Sequence, residues 1–187
     1  MKIALIVGHT NDDPGACSPH LETCEYPYNK QLADRVGERL SCDFEARVFL
    51  RSGGIGLVGV AHEVNDWGAA LCLSLHFNAA TNPRADGTEM LYWHTSSAGR
   101  KAANALLGRV AEALGTARRG LLPIDPVDRD GVWDDRGQVL SMTTMPHVLC
   151  EPFFGSHEGD CGRAKELGAG GLAEAYAHAA ETVAPHL

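Results

Sequence analysis

Three apolar runs in this chain each stop at a side chain able to bind a metal or move a proton: residues 3–7 lead to Gly8 and His9, residues 71–75 to His76, and residues 148–150 to Glu151. Short unbroken apolar runs read as strands buried on both faces, which is the habit of parallel sheets. Such sheets collect their chemistry in the crevice beyond the strands' carboxyl ends. His9, His76 and Glu151 are therefore expected on one rim. Glu25, in the loop after the first run and just ahead of a helix, brings a further carboxylate to it.

The rest of the chain alternates strand and helix patterns without repeats or low-complexity segments. A polar loop from Thr10 to Cys24 precedes a helix over about 27–40, with Pro27 at the helix start, where its missing N–H costs little. A second strand is expected over about 46–51, a helix near 58–70 and a third strand over 71–76. Residues 88–94 alternate Met90, Tyr92 and His94 against Glu89, Leu91 and Trp93, a strand with two partly apolar faces. A helix over 97–114 carries Leu106, Val110, Ala113 and Leu114 on one stripe. Between 115 and 144 the pattern weakens into a surface excursion over the site. A strand over 146–151 and a helix over about 160–183 close the chain. Such alternation predicts a three-layer α/β domain with a largely parallel central sheet of about six strands flanked by helices.

With 187 residues the chain can fill one core and is short for two, so a single domain over 1–187 is expected. The 24 acidic against 16 basic residues, a net charge of −8, and the lack of a basic tract exclude a phosphate-backbone partner, so no nucleic acid is expected. The apolar stretch after Lys2 ends at Val7, too short for a signal segment or a membrane span. Synthesis in the cytoplasm without a signal peptide, no membrane insertion and a monomeric state are the expectations. The six cysteines, Cys17, Cys24, Cys42, Cys72, Cys150 and Cys161, contain no C-x-x-C pair. All six are expected to be reduced thiols, with none on a catalytic metal.

Catalytic zinc takes three protein ligands from His, Asp, Glu and Cys and keeps a fourth position open. His9, Glu25 and His76 supply that set. A lone histidine after a strand is more often a packing residue, and it is the joint placement that points to a metal. Glu22 competes with Glu25 as the carboxylate ligand on these grounds alone. Glu151 directly follows a buried strand, a costly place for a carboxylate unless it is paired or working. Its functional reading is general base, taking a proton from the attacking water and returning it to a leaving group. Glu89 is either a further site carboxylate or a structural hydrogen-bond acceptor.

Here the blocks Ile6-Val7-Gly8-His9, Asp13-Pro14-Gly15-Ala16, Glu25-x-x-x-Asn29, Ser74-Leu75-His76-Phe77-Asn78-Ala79, Gly87-Thr88-Glu89 and Met145-Pro146-His147-Val148-Leu149-Cys150-Glu151 follow one another in order. Together they resemble the zinc-dependent N-acetylmuramoyl-L-alanine amidases of the type 3 family, phage endolysins among them. The resemblance implies Zn²⁺ as cofactor, His9, Glu25 and His76 as its ligands, Glu151 as the catalytic glutamate, and Asn78 and Glu89 as substrate-binding residues. Its Glu-x-x-x-Asn spacing selects Glu25 over Glu22. The implied reaction is hydrolysis of the amide joining N-acetylmuramic acid to L-alanine in peptidoglycan or muropeptides, after release of the enzyme through a permeabilised membrane. Val60 and the Val64-Asn65 pair depart from the family pattern, as do Tyr26 and Pro27. A zinc hydrolase or carboxypeptidase cutting another amide, and a catalytically silent peptidoglycan-binding module, are the alternative readings.

Other motifs have plainer explanations. Gly54-x-Gly56-x-x-Gly59 matches a dinucleotide fingerprint in form, but it follows the second strand and lacks the later acidic residue, so a flexible loop is expected. The acidic residues Asp125, Asp128, Asp130, Asp134 and Asp135 lack the spacing of a calcium loop. His147 is expected to pack rather than ligate, since it lies too far back along its strand. Trp133, in the excursion, is a candidate for stacking on sugar rings.

Overall fold

A computed structural model describes residues 1–51, 54–125 and 135–187. In chain order the elements are β1 (Lys2–Val7), β2 (Cys17–Ser18), β3 (Thr23–Cys24), α1 (Glu25–Leu40), β4 (Glu45–Leu50), α2 (Gly56–Trp67), β5 (Leu71–Leu75), β6 (Thr88–Trp93), α3 (Ser97–Leu114), β7 (Arg118–Ile124), α4 (Asp135–Met142), β8 (His147–Glu151) and α5 (Glu158–Val183). Six strands form one sheet in the order β4-β1-β5-β8-β6-β7. The neighbours β4, β1, β5 and β8 are mutually parallel, β6 pairs antiparallel with β8, and β7 runs parallel to β6. The sheet is thus mostly parallel, with its last two strands reversed.

Both faces of the central strands are covered, which is why their sequences read as unbroken apolar runs. Ile3, Leu5 and Val7 of β1 pack with Leu71, Leu73 and Leu75 of β5 against Leu32, Val36 and Leu40 of α1, Leu106 and Val110 of α3 and Tyr176 of α5. On the other face Ala4, Ile6, Cys72 and Leu149 meet Val60 and Val64 of α2 and Val139 and Leu140 of α4. Each fully buried leucine among these contributes about 1.5–3 kcal/mol relative to exposure. In β6, Met90 and Tyr92 join the first cluster and Leu91 the second, as its alternation predicts. The apolar stripe of α3 is Ala103, Leu106, Leu107, Val110 and Leu114, with Ala113 turned to solvent instead.

Several boundaries shift for local reasons. The first helix begins at Glu25 rather than Pro27, because the preceding loop satisfies its first N–H groups: Glu25 donates to the Ala16 carbonyl at 3.0 Å and Tyr26 to the Pro14 carbonyl at 3.0 Å. The glycine-rich stretch expected to be a flexible loop instead passes into helix at Gly56. The excursion over 115–144 holds strand β7 and helix α4, and Val139 of α4 reaches the core. Asp128, Asp130, Trp133 and Asp134 lie outside the described residues.

The expectation that every cysteine is reduced is overturned. Cys17 and Cys24 form a disulfide, while Cys42, Cys72, Cys150 and Cys161 are free. These two cysteines sit directly opposite each other in the β2–β3 hairpin, a proximity their separation along the chain does not reveal. Thiol titration of the denatured, unreduced protein is therefore expected to find four free thiols and not six. Because closing a short loop restricts the unfolded chain, reduction should cost about 2–3 kcal/mol of stability, read as an earlier unfolding midpoint. Six titratable thiols before reduction would remove the bridge.

Candidate active site

Parallel pairing brings the ends of four strands level. Val7 is in register with Leu50 on one side and Leu75 on the other, and Leu75 with Cys150. The residues that follow, Arg51, Gly8 with His9, and His76, therefore emerge on the same rim as Glu151, the last residue of β8. Because β6 runs the other way, its start also reaches this rim, with Glu89 opposite Glu151.

Two close approaches shape the rim. Gly8 lies so close to the His76 imidazole that any β-carbon there would overlap the ring. Gly15, at φ +73°, stands against the His9 ring in the same way. His9 itself is left-handed, at φ 64°, an unfavourable conformation for a residue with a side chain and one that recurs at functional sites.

Glu25 is the hub. Its Oε1 accepts the Ala16 N–H at 3.0 Å and lies 3.5 Å from His9 Nε2, while its Oε2 lies 3.1 Å from His76 Nδ1 and accepts the Phe77 N–H at 3.3 Å. Burial alone raises its carboxyl's pKa, but the hydrogen bond and charge of His76, the charge of His9 and the Ala16 N–H outweigh that and hold it below the usual range. His9 is pushed down, chiefly by burial and further by the charges of His76 and Arg51, against the pull of Glu25 and Asp13. For His9 that shift favours the neutral imidazole, the form that binds a metal.

Ligand atoms of His9, Glu25 and His76 all lie within 4.8 Å of one another, a group able to hold a metal ion. The buried Nδ1 of His9 has no hydrogen-bond partner among the described residues. An imidazole, carboxylate, imidazole set suits zinc, and a cation would offset the crowding of these donors. Glu22, the rival ligand, is not in the group.

The three residues and Glu151 line one cavity of about 460 Å³, closed on its apolar side by Ile6, Leu57, Val139 and Leu149. Glu151 is 5% exposed, so the carboxylate at the end of β8 does sit in a largely dry place. Asn78 also lines the cavity, with its Nδ2 donating to Glu89 Oε2 at 2.7 Å. The other Glu89 oxygen accepts from Arg119 Nε at 2.6 Å, and Glu89 is outside the cavity lining.

Some features escaped the sequence. Arg51 lines the cavity, and the signal was the same strand-end position that singles out His9 and His76. His147, by contrast, packs as its place along the strand predicts: it is buried between Ser74 Oγ and Thr143 Oγ1, each at 2.9 Å, and burial together with the charge of His76 pushes its pKa down to about 3. It is a neutral internal strut. Asp160 was unforeseen too. Its Oδ2 accepts the Gly87 N–H at 2.9 Å and the Phe154 N–H at 3.1 Å, tying the start of α5 to the segments flanking the site.

A profile of the family described as N-acetylmuramoyl-L-alanine amidase, Amidase_3, matches residues 3–181. No curated protein sequence matches. Among solved structures, the chain is similar to an N-acetylmuramoyl-L-alanine amidase from Clostridium difficile 630, at 22% identity and a TM-score of 0.82 over 99% of this chain and 97% of that one. It is similar to the amidase AmiC2 of Nostoc punctiforme, at 19% identity and a TM-score of 0.81 over 100% of this chain and 98% of the other. The catalytic domain of the CD27L endolysin targeting Clostridia difficile shares the fold at 24% identity and a TM-score of 0.79, over 97% of each chain. With a family profile that runs almost from end to end, the chain belongs to the Amidase_3 family of N-acetylmuramoyl-L-alanine amidases, hydrolases of the peptidoglycan amide bond.

Proposed function

We propose that the amidase is zinc-dependent, that His9, Glu25 and His76 hold the ion, and that Glu151 is its general acid and base. The convergence of the three ligand atoms beside a cavity that also holds Glu151 carries this reading. Zinc, when bound, supplies the Lewis acidity that makes water nucleophilic near neutral pH and polarises the scissile carbonyl. The carboxylate of Glu151 takes the proton of the attacking water and then delivers it to the alanine nitrogen as the C–N bond breaks. Ile6, Leu57, Val139 and Leu149 keep bulk water from the reacting groups. Asn78 orients the substrate from the cavity wall, and Glu89, held by Arg119, acts through it as a positioning residue.

The setting follows from the substrate and the bridge. Peptidoglycan lies outside the reducing cytoplasm, and the Cys17–Cys24 disulfide fits a protein that works there. No described helix is long and apolar enough to cross a membrane. An endolysin-like role, with release through a permeabilised membrane, is the reading these features favour.

The bond cut is tested by product analysis. On purified peptidoglycan the enzyme should release new L-alanine amino termini and no new reducing sugar ends, since an amide and not a glycosidic bond breaks. Reducing ends rising in step with lysis would exclude the amidase reaction. Turbidity loss with neither product would point to a hydrolase cutting another amide, and binding without turbidity loss to a silent module.

A further inference from the structure

The Cys17–Cys24 bridge sits next to the proposed zinc ligand Glu25. Cys24 caps the start of α1, one residue before Glu25, and Cys17 directly follows Ala16. Ala16 and Glu25 are bound to each other twice: the Ala16 N–H donates to Glu25 Oε1 and the Glu25 N–H to the Ala16 carbonyl, each at 3.0 Å. Further along, the Tyr26 N–H donates to the Pro14 carbonyl at 3.0 Å. Between Pro14 and Ala16, Gly15 is pressed against the His9 ring. Residues 14–16 therefore back two of the three ligands, and the bridge clamps them to the first turn of α1.

The hairpin cannot supply that clamp by pairing alone. β2 and β3 are two residues each, with Cys17 opposite Cys24 and Ser18 opposite Thr23, and an isolated two-stranded hairpin is marginal in water even when longer. Ser18 anchors the turn, its Oγ donating to the Gly155 carbonyl at 2.6 Å and accepting the Leu21 N–H at 3.0 Å. Ala16 lies on the other side of the bridge from this anchor. The bridge is also open to exchange, which needs a thiolate to reach one of the sulfurs. Cys17 is exposed and Cys24 half-buried, whereas the free thiols of Cys72, Cys150 and Cys161 are buried.

We propose that the Cys17–Cys24 bridge is a redox switch on the metal site: closed, it holds Gly15 and Ala16 against His9 and Glu25 and keeps the ligand set assembled; opened by a dithiol reductant, it loosens that set and weakens zinc binding. The proposal rests on the zinc reading above. In the opening step a thiolate of the dithiol attacks Cys17 Sγ, the S–S bond breaks, and Cys24 leaves as a thiolate that takes up a proton. The second thiol of the dithiol then attacks the mixed disulfide and releases Cys17, so the chain gains two electrons and two S–H groups while the reductant becomes a disulfide. Closure is the reverse exchange with a disulfide oxidant. A chain in the reducing cytoplasm is thereby held back, and it is completed on the oxidising side, where peptidoglycan lies.

The test compares three preparations of the full chain: oxidised wild type, wild type reduced with dithiothreitol and freed of it by anaerobic gel filtration, and C17S/C24S. Zinc affinity is measured by competition with a chromophoric chelator, and amide exchange at Ala16 and Glu25 on the zinc-free chain. Reduced wild type and C17S/C24S should both bind zinc ~10- to 100-fold more weakly, the span set by closure of a short loop. Both should exchange those two amides faster and lose peptidoglycan hydrolysis at limiting zinc. Oxidised glutathione should restore wild type and leave C17S/C24S unchanged, a pattern that capture of metal by the reductant does not produce. The reduced and reoxidised wild type decide the matter even if C17S/C24S misfolds. Zinc affinity and exchange unchanged by reduction overturn the proposal and leave the zinc reading standing. Global unfolding of the reduced chain overturns it too, because the bridge then holds the fold and not the site. Oxidised wild type that hydrolyses peptidoglycan without binding zinc overturns both.

Discussion

Glu151→Gln should retain zinc and lose at least ~100-fold in rate, the lower range for removal of a general acid and base. The amide copies the shape of the carboxylate and cannot accept a proton. Glu151 closes strand β8 with its backbone in register against β6, and the exchange leaves that backbone pairing in place. Its side chain lines the cavity with His9, Glu25 and His76, where the proposed mechanism has a water deprotonated and an amine protonated. The loss should fall on kcat, since the interaction is made in the transition state. Full activity in the variant would remove Glu151 as the base. Loss of zinc in the variant would move it into the ligand set.

Removing the metal should have the larger effect. Purified active protein is expected to carry about one zinc per chain and to lose activity on treatment with a strong chelator, since three protein ligands of this kind define one open site. His9→Ala and His76→Ala should each lower zinc content and reduce the rate by ~1,000-fold or more, because Lewis-acid stabilisation is worth several kcal/mol and each 1.36 kcal/mol is a factor of ten. Glu25→Gln should weaken zinc binding as well. A neutral amide is a poor ligand, and the substitution also removes the acceptor that gathers Ala16, Phe77 and His76 around one carboxylate. Active protein with metal content near zero would end the zinc reading. The contrast between Glu25→Gln, which loses metal, and Glu151→Gln, which keeps it, separates ligand from base with two nearly isosteric substitutions.

The chain itself determined most of the frame. Unbroken apolar runs in β1, β5 and β8 can be buried only between two helical layers, so the three-layer sheet and its active rim are consequences of local composition. His9, His76 and Glu151 are legible for the same reason, because a polar group placed directly after a buried strand has few positions open to it. Glu25 is less so: spacing by itself admits Glu22, and the resemblance of Glu25-x-x-x-Asn29 to a known family made the choice. Tertiary structure decided what no run of residues encodes. The Cys17–Cys24 bridge depends on a hairpin that places the two residues opposite each other, and a polar loop sequence carries no sign of that pairing. The left-handed His9, and the glycines pressed against the His9 and His76 rings, follow from how neighbouring segments crowd the rim. Arg51 looked like the last residue of an ordinary strand. It joins the site because β4 pairs beside β1, and the order of strands in a sheet is set by long-range packing rather than by the pattern within any one of them.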